Sequence, residues 1–223
     1  MRTTLDGNPR EKQHRQEVDA WYERTKRGTD IAFAALALLA LAPLIMALML
    51  LVRLDSPGGA FFRQIRAGRG GRPFTLYKLR TFHAECHGFY GDEEIRWNDG
   101  RITRIGRLLR RSKLDELLQL LNVLRGDMAL VGPRPSMLEQ VAEYGPDERI
   151  RLSVRPGLTG VAQVSGNTWL DWSERIRMDR WYVCNRSARL DLVIVLRTLP
   201  VMLRGERPTD DPLGIRRRPG TGP

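Results

Sequence analysis

Twenty-two consecutive residues from Ile31 to Val52 carry no charge, with Arg24, Lys26, Arg27 and Asp30 before them and Arg53 and Asp55 after them. As one helix the block is about 33 Å long, enough for a hydrocarbon layer of about 30 Å. Pro43 stands inside it. Proline removes a backbone donor and clashes with the preceding turn, so the pattern predicts a bend near Ala42. Two arrangements satisfy it, a kinked spanning helix or a hairpin that dips in and returns. The twelve residues before Pro43 and the nine after it form arms of only about 18 and 14 Å, too short to cross alone. Arg63, Arg66, Arg69 and Arg72 follow Arg53, so basic residues crowd both flanks. A spanning helix concentrates them on one side, which favours the hairpin. About thirty polar residues precede the block and no small-residue cleavage pattern follows, unlike a cleaved signal peptide.

Beyond the block, "AFFRQIRAGRGGRPFTLYKLRTF" holds two short aromatic and β-branched runs around a glycine-rich turn, which predicts a small β-hairpin. Those glycines read as turn formers, since the GKS or GKT ending of a phosphate loop is missing. In "GRITRIGRLLRRSKLDELLQLLNVLRGDM", Arg101, Arg104, Arg107 and Arg110 recur every three residues, with Ile102, Ile105, Leu108 and Leu109 on the other side. That is a basic amphipathic helix, either a plain solvated face or one that lies on an anionic membrane. A leucine-rich pattern continues to Gly126. "RLDLVIVLRTLPVMLRG", interrupted by Arg197 and Pro200, is too short to span and predicts a core or interfacial helix. The expected fold class is α+β and mostly helical: a re-entrant membrane helix hairpin, interfacial amphipathic helices and a small β-hairpin. Its expected divisions are a mobile segment over 1–25, the membrane helix over 26–53, a catalytic domain over 54–206 and a disordered tail over 207–223.

Composition sharpens the picture. The 223 residues carry a formal net charge of +11, and only four of the 37 basic residues are lysines, namely Lys12, Lys26, Lys78 and Lys113. Such a surplus suits nucleic acid, anionic lipid or phosphorylated substrates. Cys86 and Cys184 lie far apart, as free thiols of a reducing compartment do. His14, His83 and His87 form no metal constellation.

Asp115 and Glu116 follow a run of arginines and precede leucines. Adjacent helical residues point about 100° apart, so both reach one site only at a helix start or edge. An acidic pair there commonly just complements the helix dipole. Here Arg110 and Arg111 would also keep a carboxylate ionised and hold an anion, and a carboxylate can attack phosphorus to give an acyl phosphate. "VGPRPS" and "VRPGLTGVAQVSG" set Arg134 and Arg155 in rigid turns that suit phosphate, and "YKLR" ends a strand in Lys78 and Arg80.

Taken in order, "KRGTDIAFAALALLALAP", "FFRQIRAGRGGRPFTLYKLRT", "LLRRSKLDELLQLLNVLRGDMALVGPRP", "VRPGLTGVAQVSG" and "DWSERIRMDRWYV" resemble the bacterial sugar transferases, the monotopic phosphoglycosyl transferases, over about residues 26–204. The resemblance implies a re-entrant helix that breaks at Pro43 and a catalytic domain on the cytoplasmic face of the bacterial inner membrane. It implies ping-pong chemistry with Mg²⁺, in which Asp115 attacks the β-phosphate of a UDP-sugar, UMP leaves, and polyprenyl phosphate takes the phosphosugar. By the same resemblance Glu116 is the second acid, Asp115 also contacts the metal, and Lys78, Arg80, Arg110, Arg134 and Arg155 hold phosphates. The implied partners are UDP-sugar, polyprenyl phosphate and inner-membrane lipids, with no nucleic acid; a homo-oligomer stays open. Ala42 replaces the family's usual serine, "SGNTW" its glycine-arginine-asparagine run, and Phe82 a common methionine. A silent membrane-surface scaffold would keep the apolar elements without needing the acidic pair.

Overall fold

The computed structural model describes residues 9–86 and 99–204. His87 and the tail expected to be disordered at 207–223 lie outside the described residues. One helix, α1 (Pro9–Asp55), includes the whole apolar block, with Pro43 inside it. The boundary expected at residue 26 is therefore not an element boundary, and the two expected arms are one continuous helix.

What α1 packs against follows from its spacing. Ala34, Leu38, Leu41, Ile45, Leu48 and Val52, alternating four and three apart, form one seam against the rest of the molecule. The opposite face stays open: Phe33, Leu36, Leu39, Leu44, Met46, Leu50, Leu51 and Leu54 are all exposed, Leu39 to 76%. By length and composition α1 can cross a membrane. Yet both flanks of the apolar block are tied to the same domain. Before it, Lys26 Nζ lies 2.7 Å from Asp191 Oδ2, and Arg27 donates to the Val123 and Leu124 carbonyls at 2.6 and 3.0 Å. At the far end, the Ile105 amide donates to Asp55 Oδ2 at 2.8 Å.

Strands β1 (Phe61–Ala67) and β2 (Pro73–Leu79) form the expected antiparallel hairpin, with Phe62 opposite Lys78 and Arg63 opposite Tyr77. The basic helix is α2 (Arg104–Ser112), shorter than the arginine repeat, because Arg101 precedes it and pairs with Asp99 at 2.7 Å. Thr103 caps it by accepting from the Gly106 amide. Gly106 is required by close approach: a Cβ there would lie 2.0 Å from the Thr81 carbonyl oxygen. After a short 3₁₀ turn (Leu114–Glu116) comes α3 (Gln119–Arg125). Its buried Leu120 and Val123 meet Ala34 of α1 and Phe74 and Leu76 of β2.

A second, parallel pair joins β3 (Ala129–Val131) to β4 (Gly157–Thr159). Between them lie α4 (Leu138–Ala142), α5 (Pro146–Arg149) and the 3₁₀ turn Ile150–Ser153; after them come α6 (Val161–Val164), α7 (Trp172–Asn185) and α8 (Ala188–Arg204). Val131, Val161, Met178, Tyr182 and Ile194 make this half's core. Helix α8 buries Ile194 and leaves Leu192, Leu196 and Leu199 exposed.

Candidate active site

Lys113 decides where the acidic pair points. It ends α2 in the left-handed conformation, φ 58° and ψ 15°, which costs a residue with a Cβ about 1 kcal/mol or more. The turn stops the helix and starts the 3₁₀ segment, so that Asp115 and Glu116 both come to lie buried, 7% and 8% exposed. Their placement at a helix start matches the condition under which adjacent residues can share one site.

Three elements bring cations to the pair. Lys78, next to last in β2, places Nζ 2.7 Å from Glu116 Oε1. Arg134, in the loop after β3, donates from Nη2 to the same oxygen at 3.0 Å. Arg110, in the last turn of α2, stands with its guanidinium 5.1 Å from the centre of the Phe82 ring, so the Phe82 substitution supplies a platform for a site arginine. Burial lowers the Arg110 pKa, against the opposing pull of Asp115 and Glu116.

The two carboxyls are driven apart. Burial raises the Asp115 pKa and neighbouring Glu116 adds to it, while Lys78, Lys113 and Arg110 pull the other way. Burial would raise Glu116 as well, but Arg134, Lys78 and Lys113 outweigh it and hold that carboxyl well below the usual range. Glu116 is thus a fixed anion that anchors cations. Among the described residues Asp115 has no such double ion pair, and it keeps the more basic carboxylate of the two, which suits it to nucleophilic attack once ionised.

Asn122 frames this arrangement. Completely buried in α3, it accepts from the Tyr77 amide at 3.1 Å and donates to the Thr75 carbonyl at 2.7 Å. Those bonds tie the strand bearing Lys78 to the helix that follows Glu116. A lone amide within the "LLNVLR" run was the sequence signal for it.

Two expected phosphate ligands are placed elsewhere. Arg80 is 1% exposed and donates to the carbonyls of Ser56 at 2.7 Å and Pro57 at 2.5 Å, just past the end of α1. Arg155 donates from Nε to the Gly126 carbonyl at 3.0 Å, beyond the end of α3, and faces Glu23 at 3.9 Å. Both serve the carbonyl-rich, negative ends of helices, which attract a guanidinium as a phosphate does. Neither is brought to the acidic pair. Lys113 was not singled out by sequence, although its charge acts on both carboxyls.

Among the described residues no group of three or more His, Cys, Asp or Glu side chains could hold a metal ion. The donor set still fits Mg²⁺, which needs one or two carboxylates and takes its other oxygens from water and substrate phosphates.

The sequence pattern of the bacterial sugar transferases matches residues 21–205. A UDP-glucose:undecaprenyl-phosphate glucose-1-phosphate transferase of Caulobacter vibrioides is 46% identical over 186 residues, covering 80% of this chain and 69% of that protein. An uncharacterized sugar transferase, EpsL, of Bacillus subtilis is 40% identical, covering 81% and 88%. A UDP-N-acetylgalactosamine-undecaprenyl-phosphate N-acetylgalactosaminephosphotransferase of Aeromonas hydrophila is 38% identical, covering 82% of this chain and 45% of its own.

Proposed function

The chain belongs to the bacterial sugar transferase family and is a transferase, and on that footing we propose that it moves a sugar 1-phosphate from a UDP-sugar to polyprenyl phosphate, an early membrane step in exopolysaccharide synthesis. The observation that carries the reading is the buried Asp115–Glu116 pair ringed by Lys78, Arg110 and Arg134. A carboxylate oxygen of Asp115 attacks the β-phosphorus, the bond to the α–β bridging oxygen breaks, and UMP departs with that oxygen. A phosphate oxygen of the polyprenyl acceptor then attacks the same phosphorus and releases Asp115. Glu116 stays ionised and sets the positions of Lys78 and Arg134 for the diphosphate. Asp115 is the residue that would hold Mg²⁺, which would supply neutralisation of diphosphate charge when bound. A screen of UDP-sugars for UMP release tests this reading, and no release from any of them overturns it.

The carboxyl energetics give a pH prediction. Attack needs ionised Asp115, whose pKa is raised by burial, so the acid limb of the kcat/KM profile is expected above the ordinary aspartate value of 3.8. Lys78 lowers that pKa. Lys78→Met is therefore expected to move the limb further up, and a limb that stays put or moves down counts against Asp115 as the titrating group.

The apolar helix supports a location on the cytoplasmic face of the inner membrane, embedded from one side. Full burial of such a side chain gains about 1.5–3 kcal/mol, and each exposed residue would gain its exposed share of that, which favours a lipid cover over the open face. With both flanks of the apolar block tied to one domain, the block enters and leaves the lipid on the same side. In a variant with Cys86 and Cys184 replaced by serine, cysteines put at Thr3 and at Thr209 are expected to be equally shielded from a membrane-impermeant reagent in intact cells. Labelling of the first alone would make α1 a spanning helix.

A further inference from the structure

Behind the loop that carries Arg134, one guanidinium joins three segments. Arg151, in the turn Ile150–Ser153, is 6% exposed. Its Nη1 donates to Ser136 Oγ and to the Tyr144 hydroxyl, both at 2.9 Å. Its Nη2 donates to the Arg134 carbonyl at 2.8 Å and lies 2.7 Å from Asp179 Oδ2 of α7. The Tyr144 and Trp172 rings face the guanidinium at 5.9 and 5.6 Å, and the Tyr144 hydroxyl meets Ser136 Oγ at 2.6 Å. The Ser136 carbonyl in turn accepts from the Ala67 amide at the end of β1 at 2.9 Å. The Gly132-to-Ser136 loop is thus held on its inner side, while the Arg134 side chain on its outer side reaches Glu116.

We propose that Arg151 is a positioning residue for the transfer reaction: it fixes the backbone at Arg134 so that the Arg134 guanidinium meets Glu116 and the substrate diphosphate in one geometry. The proposal rests on the reading that the Asp115–Glu116 pair is the reaction centre. Three hydrogen bonds and an ion pair shared by two nitrogens call for a guanidinium, since an ammonium has only one nitrogen to reach them from. Asp179 neutralises the Arg151 charge, so the hub orients the loop without competing for the anionic substrate. Removal of a support of this kind acts through a small misplacement of the group it holds.

The test is a double-mutant cycle on UMP release with Arg151→Lys and Arg134→Ala. Arg151→Lys is expected to lower kcat/KM about 10- to 100-fold, and the double variant to lose no more than Arg134→Ala alone. Losses that multiply would overturn the proposal, because Arg151 would then act by another route. Tyr144→Phe, which removes one hydroxyl and keeps the ring, serves in the same cycle should Arg151→Lys not fold. A readout free of chemistry accompanies it: hydrogen exchange of the peptide spanning 132–137 is expected to speed up in Arg151→Lys and Tyr144→Phe, with α3 unchanged. Unchanged exchange at 132–137 overturns the proposal. Absence of UMP release from the unmodified protein, with the exchange effect intact, would instead sink the functional reading.

Discussion

Asp115→Asn is expected to reduce UMP release from the UDP-sugar by at least about 10³-fold, the loss typical of removing a covalent nucleophile. The amide keeps the shape of the carboxyl and cannot form the acyl phosphate. Folding should be spared, and the sign follows from the pKa. Burial disfavours the Asp115 anion, so a neutral side chain removes an electrostatic cost of the folded state, and thermal stability stays level or rises. Loss of activity with retained stability separates a chemical role from a structural one. Intact mass gives the second half of the test. The unmodified protein, incubated with UDP-sugar and no acceptor, should gain a sugar phosphate on residue 115, and Asp115→Asn should gain none. UMP release at an unchanged rate in the variant would eliminate the covalent route.

The legible parts of the fold were those whose signal is a period. The apolar block, the β1–β2 runs around glycines and the three-residue arginine repeat each announced an element, and all three stand. The limits were set by packing. Nothing in an all-round apolar pattern says that only the Ala34-to-Val52 seam meets protein, and Pro43 did not divide α1 into two elements. β3 and β4, three residues each, are too short for any period to show. Charge was legible as a surplus and ambiguous in its use. Lys78, Arg110 and Arg134 surround the acids, whereas Arg80 and Arg155, in equally suggestive contexts, cap helix ends. A backbone carbonyl cluster and a phosphate ask for the same donor, and the choice depends on which helix happens to end nearby. Arg151 gave no sign among so many arginines. Its role appears only where α7 brings Asp179 against it.

Lys78 and Arg80 make that ambiguity measurable, because two cations two residues apart are expected to fail in opposite ways. Arg80→Met removes a charged donor from the Ser56 and Pro57 carbonyls, in a place where Arg80 is 1% exposed and water cannot substitute. Hydrogen bonds from a charged group contribute about 1.5–3 kcal/mol each, so about 3 kcal/mol or more is lost. For a protein of this size that lowers the unfolding midpoint by about 6–12 °C in detergent. The junction loosened is the one where α1 leaves its apolar seam and hands Asp55 to the start of α2. Lys78→Met is expected to lower the midpoint less than Arg80→Met does, since Arg134 still pairs with Glu116 at 3.0 Å. Its kcat/KM for UMP release should instead fall about 10²- to 10³-fold, as when one preorganised donor is withdrawn from a developing charge. A stable, inactive Arg80→Met would return Arg80 to the phosphate site. An unstable Lys78→Met with normal turnover of its folded fraction would make the Lys78–Glu116 pair a brace for the fold.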